Sequence, residues 1–327
     1  MPCEILNGIY KIVLPTPFPV GPVNCIVTTE PPITLIDTGT LWEPSRQALM
    51  EQLSELNLTL KDIQRIIITH PHADHFGMAA EIADISGAQV WTHPVNRSYL
   101  NPSPEFIRIR DQFYDDILSQ CGVPEDERTQ FFSSRSGRNT FWSPIECTHF
   151  LDEGDEISLA QFQWRVYHTP GHSGGLICLF NQDTRTLLCN DHLLRRISSN
   201  PIMERDPDGG PRPHRLVQYL QQLQRINELQ PSVAWTGHGD IIDDVPKIIR
   251  HRMRYHARRA KTILDMISQQ PMTVHQISRN LFGTRSGFDC FLTISETVGH
   301  LDWLVEQGKA EPIEADACHL WTPTAQL

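Results

Sequence analysis

The sequence predicts an α/β fold that is interrupted by a helical insertion and followed by a separate C-terminal module. Three observations carry this reading. Short β-branched runs alternate with amphipathic helices over residues 1–96 and again from 163 to 244. Between them, residues 98–148 change to a polar, aromatic-containing helical pattern. Beyond residue 245 a long basic helix leads into helix, helix and β-hairpin.

Taken in order, residues 10–14, 23–28 and 34–36 read as strands separated by Pro- and Gly-rich turns. A helix starts at Glu43 with Leu49, Leu53 and Leu56 at helical spacing, and residues 65–69 (RIIIT) form a buried strand. A helix over 76–86 stops at Gly87, and the strand 89–92 follows. The insertion holds two helices, the first carrying Phe106, Ile109, Phe113 and Ile117. Strands return at 163–168, 176–180, 186–189 and 233–236, with a helix marked by Leu216, Leu220, Leu223 and Ile226 before the last. The expected domains are a catalytic domain over 1–244 that includes the insertion, a linker helix over 245–270, and a winged-helix-like domain over 271–327.

At 327 residues the chain has room for about two domains. Lys and Arg number 28 against 39 Asp and Glu, and the resulting net charge of -11 disfavours general attraction to a phosphate backbone. Eight cysteines show no CxxC spacing and read as reduced thiols of a cytoplasmic protein. The first residues lack a secretion signal and no eighteen apolar residues run together, so no membrane partner is expected.

The segment THPHADHFG, residues 69–77, follows the apolar strand RIII and has the spacing HxHxDH. With 15 histidines in the chain, such a cluster arises by chance in roughly two sequences per thousand. His70 and His72 fall on one side of a turn, while Asp74 and His75 reach a second point nearby, which suits two borderline cations. Three later loops, each directly after an expected strand, offer more ligands: His172 in TPGHSGG, Asp191 in CNDHLL and His238 in TGHGD. Loops leaving one edge of a sheet converge, so these residues point to a single site.

This series, together with LIDTG at residues 35–39, resembles the metallo-β-lactamase-fold hydrolases over residues 1–244. The resemblance implies an αββα sandwich with the site at one edge of two facing sheets. It also implies two Zn2+ ions, with iron or manganese as substitutes. His70, His72 and His172 would hold the first ion, Asp74, His75 and His238 the second, and Asp191 both. Asp37 resembles a residue that braces a metal-binding histidine, its other reading being a turn residue of DTG. The implied nucleophile is a metal-bridging hydroxide oriented by Asp74 or Asp191. His192 stands beside it as a proton donor, a substrate contact or a packing residue.

Asp191 points away from the true zinc β-lactamases, which lack it, and His72 from flavodiiron oxygen reductases, which carry Glu there. Lactonases usually place Tyr after the bridging aspartate, where this chain reads HLLRRIS. Glyoxalase II enzymes share all seven ligand types, although their C-terminal tail differs and Met78 replaces a glycine. The ligand pattern of a single-iron sulfur dioxygenase is also similar. Members ending in a winged-helix-like domain, among them a mitochondrial endoribonuclease, resemble the chain most in architecture. The leading expectation is therefore a binuclear hydrolase of a small thioester or ester, with a small-molecule substrate and a homodimeric assembly. The alternatives are a metal-dependent endoribonuclease, or a nucleic-acid- or protein-binding module with structural metals. Lys247, Arg250, Arg252, Arg254, Arg258, Arg259 and Lys261 would serve a nucleic-acid partner, but such a run reads first as a solvated or salt-bridged helix face. His93, His149 and His168 lack suitable partners and are set aside as ligands. Phe113, Tyr114, Phe131, Phe132, Phe141 and Trp142 would line a pocket or pack the insertion's own core.

Overall fold

The computed structural model describes residues 1–315 and 318–325. Its first sheet contains β1 (Cys3–Leu6), β2 (Ile9–Leu14), β3 (Val23–Thr28), β4 (Thr34–Ile36), β5 (Arg65–Ile68), β6 (Gln89–Thr92) and β7 (His149–Phe150) in that spatial order. Pairing is antiparallel from β1 to β4 and parallel from β4 to β7. Helices α1 (Glu43–Glu55), α2 (Ala73–Phe76), α3 (Ala79–Ser86) and α4 (Arg97–Leu100) connect or follow these strands. The second sheet has the order β12-β11-β10-β9-β8, formed by β8 (Glu156–Leu159), β9 (Phe162–His168), β10 (Ile177–Asn181), β11 (Thr186–Asn190) and β12 (Val233–Thr236).

The apolar run RIII is buried on both faces, which is why it shows no polar alternation. Ile66 and Ile68 join Leu35 and the α1 residues Leu49 and Leu53 in one core. Ile67 points the other way, with Ile36 and Ile26, into a core shared with Trp164, Val166, Ile177, Leu179 and Leu188 of the second sheet. The period-two split of consecutive isoleucines thus stacks sheet on sheet and leaves helices on the outer face of the first.

The expected helix over 76–86 is found as α3, Ala79–Ser86, with the separate short α2 ahead of it. Gly77 lies at the break, where an added Cβ would come within 2.4 Å of the Phe141 carbonyl oxygen and 2.6 Å of the Leu41 amide nitrogen. Strands β1, β7 and β8 were not expected. Cys3–Leu6 has no buried residue and His149–Phe150 spans two residues, so neither carries a burial pattern that sequence periodicity can report, whereas β8 does alternate, with Ile157 and Leu159 buried, and was overlooked.

The remaining helices are α5 (Pro104–Gln120), α6 (Glu125–Arg138), α7 (Arg215–Glu228), α8 (Val245–Ile267), α9 (Val274–Phe282) and α10 (Gly287–Glu306). A three-stranded sheet of β13 (Met272–Thr273), β14 (Ala310–Ala315) and β15 (Cys318–Pro323) has the order β13-β15-β14. The chain divides into two compact units. The first comprises residues 1–102, 138–199 and 225–248, and the second comprises 103–137, 200–224 and 249–327. Most of the insertion therefore groups with C-terminal residues, whereas the sequence-based boundaries assign it to a continuous domain over 1–244. The reason is apolar packing: Tyr114, Leu118 and Phe131 share a core with Ile263, Ile277, Phe291 and Ile294. Phe141 and Trp142 belong to the first unit, against Phe18 and Phe76. Among the described residues no helix is long and apolar enough to cross a membrane.

Candidate metal centre

Strand direction places the site. In the second sheet β9 and β11 are both antiparallel to β10, and β12 is parallel to β11, so β9, β11 and β12 end at one edge. The loops leaving that edge carry His172, Asp191 and His238. Parallel β4 and β5 likewise deliver Asp37 and the HxHxDH segment from one edge of the first sheet. Hydrogen bonds join the two edges: Ile177 N donates to the Thr69 carbonyl at 3.1 Å and Asn24 N to that of Gly237 at 2.7 Å.

All seven histidine and aspartate ligand candidates meet here. His70, His72 and His172 present ring nitrogens within 4.8 Å of one another, and Asp74, His75 and His238 form a second group by the same measure. Asp191 lies between them. Its Oδ2 is 3.6 Å from His172 Nε2 in the first group and 3.6 Å from both His75 Nε2 and His238 Nε2 in the second. His72 Nδ1 faces His172 Nε2 at 3.0 Å, and His238 Nε2 lies 3.3 Å from Asp74 Oδ2.

The surrounding hydrogen bonds fix which ring nitrogen carries the proton in each neutral imidazole. A carboxylate or carbonyl can only accept. His75 Nδ1 therefore donates to Asp37 Oδ2 at 2.7 Å, and His238 Nδ1 donates to the Pro22 carbonyl at 2.9 Å. The Thr69 hydroxyl gives its one hydrogen to Asp37 Oδ2 at 2.8 Å, so at 3.1 Å it accepts from His70 Nδ1. In the neutral form of all three rings, the form an ion would take, Nε2 is left as a lone pair aimed at the cluster. His70 Nε2, His75 Nε2, His238 Nε2 and Asp191 Oδ1 are buried without a hydrogen-bond partner. Orphaned nitrogen lone pairs beside carboxylate oxygens are the donor set that borderline divalent cations take.

Electrostatics agree. Burial alone would raise Asp74 and Asp191, yet the histidines around them hold both carboxyls well below their usual range. Burial would lower His75, but Asp191, Asp37 and Asp74 outweigh it and raise it well above an ordinary imidazole. His72, lowered by burial and then by His172, titrates at about 3 and stays neutral. The pocket thus favours positive charge next to its carboxylates.

Asp37 takes the bracing role rather than that of a simple turn residue, and it holds a left-handed φ of 58° to do so while accepting from Thr69 N at 2.9 Å. His192 is fully buried, with burial pushing it down to about 3. His168 stacks on His93 at 3.8 Å and donates from Nε2 to the Gly174 carbonyl at 2.8 Å, bracing the His172 loop instead of joining the cluster. His149 packs on Trp91.

Sequence reasoning missed Asn24, and gave no role to Thr69 and Gly237 although both stand in the motifs THPHADHFG and TGHGD. Asn24, a polar residue in the apolar strand VNCIVT, donates from Nδ2 to the carbonyls of Thr236 at 2.8 Å and Gly239 at 3.0 Å, pinning the His238 loop. A Cβ on Gly237 would lie 2.1 Å from Asp191 Oδ1 and 3.1 Å from His75 Cε1. Gly237→Ala is therefore expected to push the Asp191 carboxylate aside, lowering metal content and reducing kcat/KM by ~10-fold or more with the fold intact. Elemental analysis and circular dichroism check this. Wild-type metal content in the variant would mean that Asp191 can turn away without loss.

A two-sheet sandwich with this histidine and aspartate cluster at its edge marks a candidate metal-dependent enzyme. Residues 18–238 match the model of the metallo-beta-lactamase superfamily, and the chain belongs to that superfamily. It is 34% identical over 298 residues to the probable metallo-hydrolase YqjP of Bacillus subtilis, covering 91% of this chain and 92% of that protein. A metallo-beta-lactamase family protein from Thermus thermophilus superimposes with a TM-score of 0.84 at 25% identity, covering 98% of this chain and all of the other. The chain is also 22% identical over 264 residues to the atrochrysone carboxyl ACP thioesterase of Emericella nidulans, covering 79% of this chain and 65% of that protein.

Proposed function

We propose that the protein is a binuclear hydrolase of a small thioester or ester. His70, His72 and His172 hold one divalent ion, Asp74, His75 and His238 hold the other, and Asp191 serves both. Zinc suits this set, and iron or manganese fit the same nitrogen and oxygen ligands. The observation that carries the reading is the Asp191 carboxylate with the Nε2 atoms of His75, His172 and His238 each 3.6 Å from its Oδ2, two of them and His70 Nε2 being buried without a hydrogen-bond partner. When bound, such an ion pair lowers the pKa of a shared water toward neutrality and polarises the scissile carbonyl. The protein's own part is to hold the imidazoles in one tautomer and to supply, through Asp74 and Asp191, carboxylate oxygens that orient the attacking water.

Three features support a small, weakly charged substrate over a polyanion. Cations in the loop after Asp191 are engaged: Arg195 with the Ile241 carbonyl and Asp243, Arg196 with Asp240. In α8, Arg259 pairs with Glu296 and Lys261 with Asp265, and Arg252 is buried. The thioesterase relative adds a precedent for acyl-thioester cleavage in this superfamily. The same reading takes α9, α10 and the following hairpin as a winged-helix-like module, and a homodimer in the cytoplasm as the working form.

A panel of acyl thioesters and aryl esters tests it. Hydrolysis is expected, His72→Ala should abolish it, and raising salt from ~50 to ~300 mM should change it only a few-fold, because few phosphate-like contacts are made. Arg254→Glu with Arg258→Glu should leave it unchanged. Metal-dependent RNA cleavage that collapses with salt and with those reversals, while every ester is untouched, would establish the nuclease instead.

A further inference from the structure

We infer that Glu127, His275 and Cys290 form a second site, one that binds a single divalent transition-metal ion through a thiolate. Each residue comes from a different helix of the second unit: Glu127 from α6, His275 from the first turn of α9 and Cys290 from the first turn of α10. Their ligand atoms lie within 4.8 Å of one another. Glu127 Oε2 is 3.0 Å from His275 Nε2 and 3.6 Å from Cys290 Sγ. With metal bonds of about 2.0 Å to nitrogen and oxygen and about 2.3 Å to sulfur, tetrahedral edges come to roughly 3.3 Å and 3.5 Å. Two edges of one tetrahedral face are thus near their metal-bound lengths, the third, between His275 Nε2 and Cys290 Sγ, is within 4.8 Å, and one further ligand would complete the site.

The positions are set by contacts that do not involve the ligand atoms. His275 N donates to the Cys121 carbonyl at 2.9 Å, and a reciprocal Thr273–Gln276 capping box locks the first turn of α9. Thr273 in turn sits so close to Gly122 that a Cβ there would lie 2.9 Å from its own Cβ. Glu127 uses its two oxygens differently. Oε1 faces Arg279 at 3.7 Å, which turns Oε2 toward the histidine and the thiol. The guanidinium therefore orients the carboxylate without occupying the oxygen that the ion needs.

Charge closes the argument. One carboxylate and one thiolate together neutralise a dication, and the imidazole binds as the neutral ring. Without an ion, burial and the neighbouring Glu127 push the Cys290 thiol up to about 11, so it stays protonated and donates to the carboxylate. Ion binding replaces that proton: the S–H bond is lost, a metal–sulfur bond forms, and one proton leaves to solvent. His275 shifts its proton from Nε2 to Nδ1, with no net change.

Sulfur makes the test independent of the hydrolase centre, whose ligand candidates are all histidine and aspartate. Metal-free full-length protein, kept reduced, is titrated with Co2+ and followed in the near ultraviolet. A sulfur-to-cobalt charge-transfer band should grow and saturate at one ion per band-forming site. Cys290→Ser should lose the band and bind one ion fewer per chain, and Glu127→Gln should weaken the band's midpoint by ~10-fold or more. Absence of the band in the wild-type protein, or its persistence in Cys290→Ser, overturns the site. Circular dichroism checks that the variants fold; where Cys290→Ser does not, Glu127→Gln decides, and a wild-type midpoint there overturns it equally.

Discussion

Replacing Asp191 by alanine is expected to strip metal from both groups at once, leaving well under one ion per chain at the hydrolase centre. The reason is geometric. One carboxylate oxygen, Oδ2, is 3.6 Å from a ring nitrogen of His172 and equally far from those of His75 and His238, so on the proposed ligand set a single truncation removes a ligand from each group. Loss of a residue that merely orients a ligand costs about 10- to 100-fold in affinity or activity, so losing the shared ligand should lower kcat/KM by more than ~10²-fold. Elemental analysis together with thioester kinetics measures both effects. Full occupancy in Asp191→Ala would remove this residue from the ligand set, while loss of only one ion would restrict it to one group.

Acidification is expected to destabilise the second unit steeply. His300 Nδ1 donates to the Glu296 carbonyl at 2.7 Å, so its Nε2 accepts from His256 Nδ1 at 3.1 Å, and both rings are neutral and fully buried. Burial lowers His300 to about 3; burial, His300, Arg259 and Arg252 lower His256 to about 2. Both folded values lie below the unfolded value near ~6.5, so the stability they contribute is present above that pH and lost as protons bind the unfolded chain below it. Glu296 acts in the opposite sense. Burial raises it to about 7 against the pull of Arg259 at 3.2 Å, so its contribution grows as pH falls from 7 toward the ordinary carboxylate value. The cluster should therefore cost about 1.4 kcal/mol per pH unit between ~6.5 and ~4.5, and about twice that below, where Glu296 no longer compensates. Denaturant midpoints from pH 7 to 4 check this against His300→Gln, whose slope should be shallower. Identical slopes would show that the pair does not titrate on unfolding.

The strands nearest the site were legible because their chemistry is local. RIII followed by HxHxDH is a strand running into a ligand-rich turn, and β9, β11 and β12 each end just before His172, Asp191 and His238. What sequence could not show is how these residues are braced. His238 is oriented by the carbonyl of Pro22 and His75 by Asp37, contacts that depend on backbone atoms and on strand pairing across most of the chain. The affiliation of the insertion was equally hidden. Phe131 and Phe291 stack at 4.8 Å across a long stretch of intervening chain, and the helical spacing of apolar residues in α5 says that a face is buried without saying against what.

The hydrogen bonds that join the sheet edges, among them Ile177 to Thr69 and Asn24 to Gly237, have a consequence for biosynthesis. The HxHxDH turn leaves the ribosome early, but its partners Asp191 and His238 follow more than a hundred residues later. A nascent chain that ends before residue 238 can offer an ion only part of the donor set, held on a sheet whose second layer is unfinished. On the proposed ligand set, ion capture is complete only once both layers have been made and have met, so the metal load of a chain would record that the two-sheet sandwich has closed.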